Sequence, residues 1–215
     1  LLAPENIASG IRYPLVLLLH GAGERGLDNQ KQLVHVAGLF SNPENRRKYP
    51  CFVLAPQCTP DERWVDSPWG FPNFVQPLHL SRNLASAMQL LDQTIKEYPI
   101  DSDRIYIMGL SMGGYGTWDA VTRFPKRFAA AIPICGGGDV SKAARLTHLP
   151  IWAFHGSADT AVPVELSRNM CNAIQQQGGN CRYTEFPGTG HDSWTPATEQ
   201  PDFLPWLFAK RKNQK

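Results

Sequence analysis

No apolar run in the sequence approaches the roughly 20 residues needed to cross a bilayer, which excludes a membrane-spanning helix. Charge of either sign is not in excess: 21 Lys and Arg against 19 Asp and Glu leave a formal net charge of +2. That balance argues against nucleic acid as the main partner, which calls for a basic face on a basic domain. The one basic run, Lys210-Arg211-Lys212 through Lys215, reads as a solvated tail. Cysteine is sparse and odd in number, with five residues (Cys51, Cys58, Cys135, Cys171, Cys181), no C-x-x-C and no zinc-type spacing, so no metal site is expected. Buried thiols are the favoured reading, while a Cys171–Cys181 or Cys51–Cys58 bridge stays open for an exported protein. The compartment, cytoplasmic or extracytoplasmic, stays open with it. Leu1-Leu2-Ala3-Pro4 lacks both an initiating Met and a charged-then-apolar leader. It reads as the end of a strand in an excised or processed domain, with upstream residues completing the sheet edge.

What is present suits one globular domain over residues 1–215, since hydrophobic residues make up 42% and charged residues 19% of the chain. Glycine and proline, 18 of each, are spread without a period and point to many short connections. Near-continuous apolar runs mark six strands, at Leu15–His20, Cys51–Ala55, Arg104–Gly109, Ala129–Ile134, Ile151–His155 and Arg182–Phe186. Such runs fit strands covered on both faces. Leu84, Met88, Leu91 and Ile95 line one face of a helix that Pro99 ends. Met112–Phe124, Glu165–Gln177 and, more weakly, Asp202–Lys210 complete the set. This alternation predicts an α/β fold: a mostly parallel twisted sheet with helices on both faces. Pro56–Leu80 breaks the rhythm with five prolines and four large aromatics (Trp64, Trp69, Phe71, Phe74), and reads as an ordered wall beside the body or the cleft.

The strand ending at Gly109 runs into Gly109-Leu110-Ser111-Met112-Gly113, a G-x-S-x-G between a strand and a helix. So abrupt a reversal strains the apex residue, and bulk two positions either side would collide. Ser111 is thereby lifted out of the sheet at a helix start, where developing negative charge is favoured. A hydroxyl needs a base. His35, His79 and His148 read as surface or packing residues, and His20 and His155 as structural residues closing strands. His191, in the loop after the last strand, is the candidate base. Asp159, after the strand before it, is the candidate orienting carboxylate, ahead of Asp139 and Asp192. The order Ser111, Asp159, His191 is nucleophile, acid, base. Two backbone N–H groups should hold an oxyanion: Met112, and Ala22 in His20-Gly21-Ala22-Gly23. Gln57, Trp69 and Trp194 are candidate substrate contacts.

The segments HGAGERG (His20–Gly26), GLSMGGYGTW (Gly109–Trp118), HGSADTAVP (His155–Pro163) and GTGHDSW (Gly188–Trp194) resemble the α/β-hydrolase superfamily. Within it the chain is similar to phospholipase/carboxylesterase and dienelactone-hydrolase-like serine esterases, also described as prolyl-oligopeptidase-type. The resemblance implies a carboxylesterase-type serine hydrolase without cofactor or metal, working through an acyl-enzyme. It gives Ser111, Asp159 and His191 as the triad, with Ala22 and Met112 as oxyanion donors. Only Cys135–Pro150 separates the strands where such enzymes insert a cap, so no cap domain is expected. An open site implies short-acyl or aryl esters, small-molecule or polysaccharide-linked. The alternatives are a prolyl-oligopeptidase-type peptidase, a feruloyl or acetylxylan esterase, and a binding module on an inactive scaffold.

Overall fold

The computed structural model describes residues 1–212, and the alternating pattern becomes six parallel strands in the order β2-β1-β3-β4-β5-β6. They are β1 (Tyr13–Leu19), β2 (Phe52–Leu54), β3 (Ile100–Leu110), β4 (Ala130–Ile134), β5 (Ile151–Gly156) and β6 (Cys181–Phe186). Each coincides with an expected strand. β3 begins earlier because Ile100 pairs beside Tyr13 before a register shift resumes at Leu15 and Ile105. Among the described residues seven α-helices flank the sheet: α1 (Val36–Ser41), α2 (Pro43–Lys48), α3 (Arg82–Glu97), α4 (Met112–Arg123), α5 (Glu165–Gln176), α6 (Trp194–Thr198) and α7 (Phe203–Phe208). α3, α4, α5 and α7 match the expected helices within two residues at each end. The periodicity did not show α1, α2 and α6, which hold six residues or fewer and give little of a helical repeat; α7, equally short, is marked in the sequence by Pro205 in its first turn. Among the described residues no helix is long and apolar enough to cross a membrane.

Side chains alternate across each strand, so β1 feeds two cores. Leu15, Leu17 and Leu19 pack with Leu84 and Leu91 of α3, Trp118 of α4 and Ile174 of α5. Val16 and Leu18 face the other layer, with Phe40 of α1, Ala197 of α6 and Leu207 of α7. Each fully buried leucine contributes about 1.5–3 kcal/mol of transfer free energy, so the two layers hold the sheet from both sides. Leu2 exchanges both backbone hydrogen bonds with Val53, antiparallel to β2. The Pro56–Leu80 segment is anchored at both ends. The Trp64 indole N–H donates to the His20 carbonyl at 3.0 Å, and the Arg123 guanidinium donates to the carbonyls of Pro77, Leu78 and His79. The expected free tail is corrected over Lys210–Lys212. There Tyr106 donates to the Lys210 carbonyl, Arg211 pairs with Asp101 at 3.1 Å, and the Lys212 N–H donates to Asp103. The first half of β3 captures these residues, through the Asp101 carboxylate, the Asp103 carbonyl and the Tyr106 hydroxyl; Lys215 lies outside the described residues.

Candidate active site

Parallel strands deliver their carboxyl ends to one edge of the sheet, and the chemistry collects there. At the end of β3, Ser111 adopts φ 53° and ψ −117°, a conformation in which a side chain is strained. The crossing around it admits no side chains: a Cβ on Gly113 would run into the Leu19 carbonyl, and one on Gly109 into the Gly113 carbonyl. The Ser111 N–H donates to Ile134 at 2.9 Å, tying the apex to β4. As the first residue of α4, Met112 has no intrahelical acceptor for its N–H. Ala22 opens a short 3-10 turn after β1. Gly21 places that turn beside the apex, since a Cβ on it would stand 2.8 Å from the Leu110 side chain.

The structure brings three expected side chains into one chain of hydrogen bonds. His191 Nε2 lies 2.8 Å from Ser111 Oγ, and His191 Nδ1 lies 2.7 Å from Asp159 Oδ2. Asp159 is shaped by its own loop, Oδ1 accepting from the N–H groups of Ala161 (2.8 Å) and Val162 (2.9 Å). Burial alone would push its pKa up. Hydrogen bonds from His155, His191 and these two N–H groups outweigh burial and hold the carboxyl well below the usual range. An ionised carboxylate fixes the imidazole with Nδ1 protonated and leaves Nε2 free to take the hydroxyl proton. Asp139 instead caps the Val140 turn through Ser141, and Asp192 accepts from the Thr195 N–H.

His155, expected to be structural, also reaches this cluster. Its Nε2 lies 3.2 Å from Asp159 Oδ2 and 3.0 Å from the Val162 carbonyl, two acceptors that together assign a proton to Nε2. The signal was present as His155-x-x-x-Asp159, but spacing could not show that the loop folds back onto its own histidine. His20 is structural. Its Nε2 accepts from the Cys58 N–H at 2.9 Å, Nδ1 donates to the Gly21 carbonyl, and burial lowers its pKa.

The expected substrate contacts part ways. Trp194 stands edge-to-face with His191, ring centres 5.5 Å apart at 90°. Trp69 is half-buried beneath the Arg63 guanidinium, 4.4 Å from its ring centre. Gln57 is already engaged: its amide donates to the Glu24 carbonyl and Asp28, and accepts from the Asn29 N–H at 2.8 Å. It braces the turn that follows β1 instead of presenting a free amide. Cys135, Asp159 and His191 have potential ligand atoms within 4.8 Å of one another. They fit a metal poorly, because burial pushes the Cys135 thiol up to about 12 and His191 and Asp159 are committed to each other. Of the two bridges left open, Cys171–Cys181 is formed, with a Cα–Cα distance of 5.3 Å, while Cys51, Cys58 and Cys135 are buried thiols.

A parallel sheet clothed on both faces, without a cap among the described residues and with a strained serine at a strand–helix turn, defines an α/β-hydrolase. The chain belongs to the phospholipase/carboxylesterase family, whose model matches residues 10–200, and it is of the carboxylesterase-type hydrolase class. A bifunctional acetylxylan esterase/xylanase, XynS20E of Neocallimastix patriciarum, is 40% identical over 163 residues, covering 73% of this chain and 20% of that protein. The rice (Oryza sativa subsp. japonica) protein named "Probable carboxylesterase Os04g0669600" is 28% identical over 86% of this chain and 84% of its own length. The crystal structure of a thermostable esterase superposes with a TM-score of 0.91 at 43% identity, covering 98% of this chain and 58% of that one. The chain thus spans a fifth of the first of these and just over half of the last.

Proposed function

We propose that this chain hydrolyses carboxylic esters by two-step acyl transfer, with Ser111 as nucleophile, His191 as general base and acid, and Asp159 as its orienting partner. The observation that carries the reading is the continuous hydrogen-bonded path, 2.8 Å and then 2.7 Å, from the Ser111 hydroxyl through both ring nitrogens to Asp159. Ser111 Oγ bonds to the ester carbonyl carbon as its proton passes to His191 Nε2. The oxyanion is held by the Met112 and Ala22 N–H groups, each such donor stabilising the transition state by about 3 kcal/mol. The carbon–alkoxy bond then breaks and the alcohol leaves with the proton from Nε2. Water attacks the acyl-enzyme, gives a proton to His191, and Ser111 departs reprotonated.

The substrate class proposed is short-acyl or aryl esters, including acetyl groups carried on polysaccharide. Support comes from the open edge and from the 40% identity to a protein named as an acetylxylan esterase. Ser111→Ala should abolish turnover of p-nitrophenyl acetate and leave the melting temperature nearly unchanged. Retained turnover would remove Ser111 from the mechanism. Comparing acetylated xylan, a feruloyl ester and a peptide anilide with the wild-type chain separates the esterase reading from a peptidase, which would cleave the anilide fastest.

A further inference from the structure

One histidine outside this mechanism is held in an unusual way. His35, immediately before α1, sits at φ 54° and ψ −120°, almost the backbone conformation of Ser111. A non-glycine residue persists there only when its surroundings over-determine it, and such strain clusters at functional sites. Its Nε2 lies 3.6 Å from Glu24 Oε1, an ion pair once the ring is protonated. Its ring centre lies 5.4 Å from that of Trp194, whose other neighbour is His191. Glu24 ends the turn that Ala22 opens. The second carboxylate oxygen, Oε2, is buried without a hydrogen-bond partner among the described residues, and a Cβ on Gly21 would stand 2.9 Å from it. A line of contacts therefore runs Gly21, Glu24, His35, Trp194, His191, from the turn after β1 to the imidazole.

We infer that Glu24, His35 and Trp194 are positioning residues that hold the His191 ring in register with Ser111 and the Ala22 turn. The inference rests on the roles proposed above for Ser111 and His191. Asp159 and Ser111 hold the two ring nitrogens, but two hydrogen bonds along one axis leave the ring free to tilt about that axis. The perpendicular indole of Trp194 opposes the tilt, and the His35 ring packs against that indole in turn. Proton transfer needs heavy atoms at about 2.6–3.2 Å, so a small tilt lowers the rate without loosening substrate binding.

His35→Gly removes the ring while suiting the backbone, so any loss of rate cannot be assigned to added strain. On p-nitrophenyl acetate, kcat should fall about tenfold with KM within about twofold, the pattern of a lost transition-state interaction. The rate of covalent labelling by a fluorophosphonate should fall by the same factor and recover in part with added imidazole, while the melting temperature holds or rises. Glu24→Ala should show the same split between kcat and KM. Wild-type kcat in either variant, a loss confined to KM, or an unrescued loss that follows a fall in melting temperature would overturn the inference. Ser111→Ala run alongside keeps the two claims apart. If it retains turnover, the reading of the site fails; if it is inactive while His35→Gly is fully active, only the positioning inference fails.

Discussion

Glu185 on β6 accepts two hydrogen bonds from the Arg168 guanidinium of α5, at 2.7 and 2.6 Å, and a third from the Tyr183 hydroxyl at 2.7 Å. The Arg168 contact is the main reason its carboxyl falls to about 2. A carboxyl whose pKa is lower in the folded state than in the unfolded one stabilises the fold above the unfolded value, about 4.3, and that stability is lost as pH falls toward the folded value. For this partly exposed pair the contribution is about 1 kcal/mol after solvent screening. Glu185→Gln should therefore lower the melting temperature by about 2–4 °C at pH 7, and the difference should vanish near pH 2. Thermal unfolding across pH 2–7 checks this; a gap independent of pH would assign the effect to packing. Asp159 acts in the same direction, so the wild-type chain should still lose stability in acid when Glu185 is neutralised.

Elements matter here mainly through where they cross. At the start of α4 the Gly113 backbone lies against the carbonyls of Leu19, which is paired in the β1 ladder, and of His20, which accepts the Trp64 indole N–H. Gly113→Ala should cost about 3 kcal/mol, the upper end of overpacking penalties, read as a lower urea midpoint. In the same core layer as α4, the Cys171–Cys181 bridge ties α5 to β6 across a separation of 10 residues. Replacing both cysteines by alanine should cost about 2–3 kcal/mol by freeing the unfolded chain. Equal stability of the double variant and wild type under oxidising conditions would refute that. α5 itself was readable from sequence down to its stop, where Gly178 takes φ 80° and its N–H closes on Gln175. α1, α2 and α6 were not, although Asn42 before Pro43 is a helix-start signal and does cap α2.

For the molecule as a whole, the connection between β4 and β5 decides what can reach Ser111. It holds only the Val140–Leu146 turn, so nothing folds over the sheet edge from that side. A site bordered by Trp194 at His191, with no cap at the β4–β5 connection, would offer a long acyl chain little apolar surface to bury. At about 0.8 kcal/mol per buried methylene, that missing surface is what a lipid-directed enzyme relies on. Rates on p-nitrophenyl esters should fall steeply beyond short acyl chains, and a maximum at about twelve carbons or more would contradict this account of the site.

Sequence by itself determined the strand–helix alternation, the glycines of the Ser111 turn and the chain order of the serine, carboxylate and imidazole. Each of these is local: burial on both faces writes apolar runs, and a tight crossing writes glycine. A parallel sheet then sends every strand's carboxyl end to one edge, which is why candidates named from loop position alone lie together. Only the tertiary structure decided that His155 backs Asp159, that Gln57 is spent on the turn after β1, that Cys171 bridges to Cys181, and that Glu24 and His35 line up behind Trp194. Those relations join residues through contact, not through period or motif, and the close packing that creates them exists only once both helical layers have closed on the sheet.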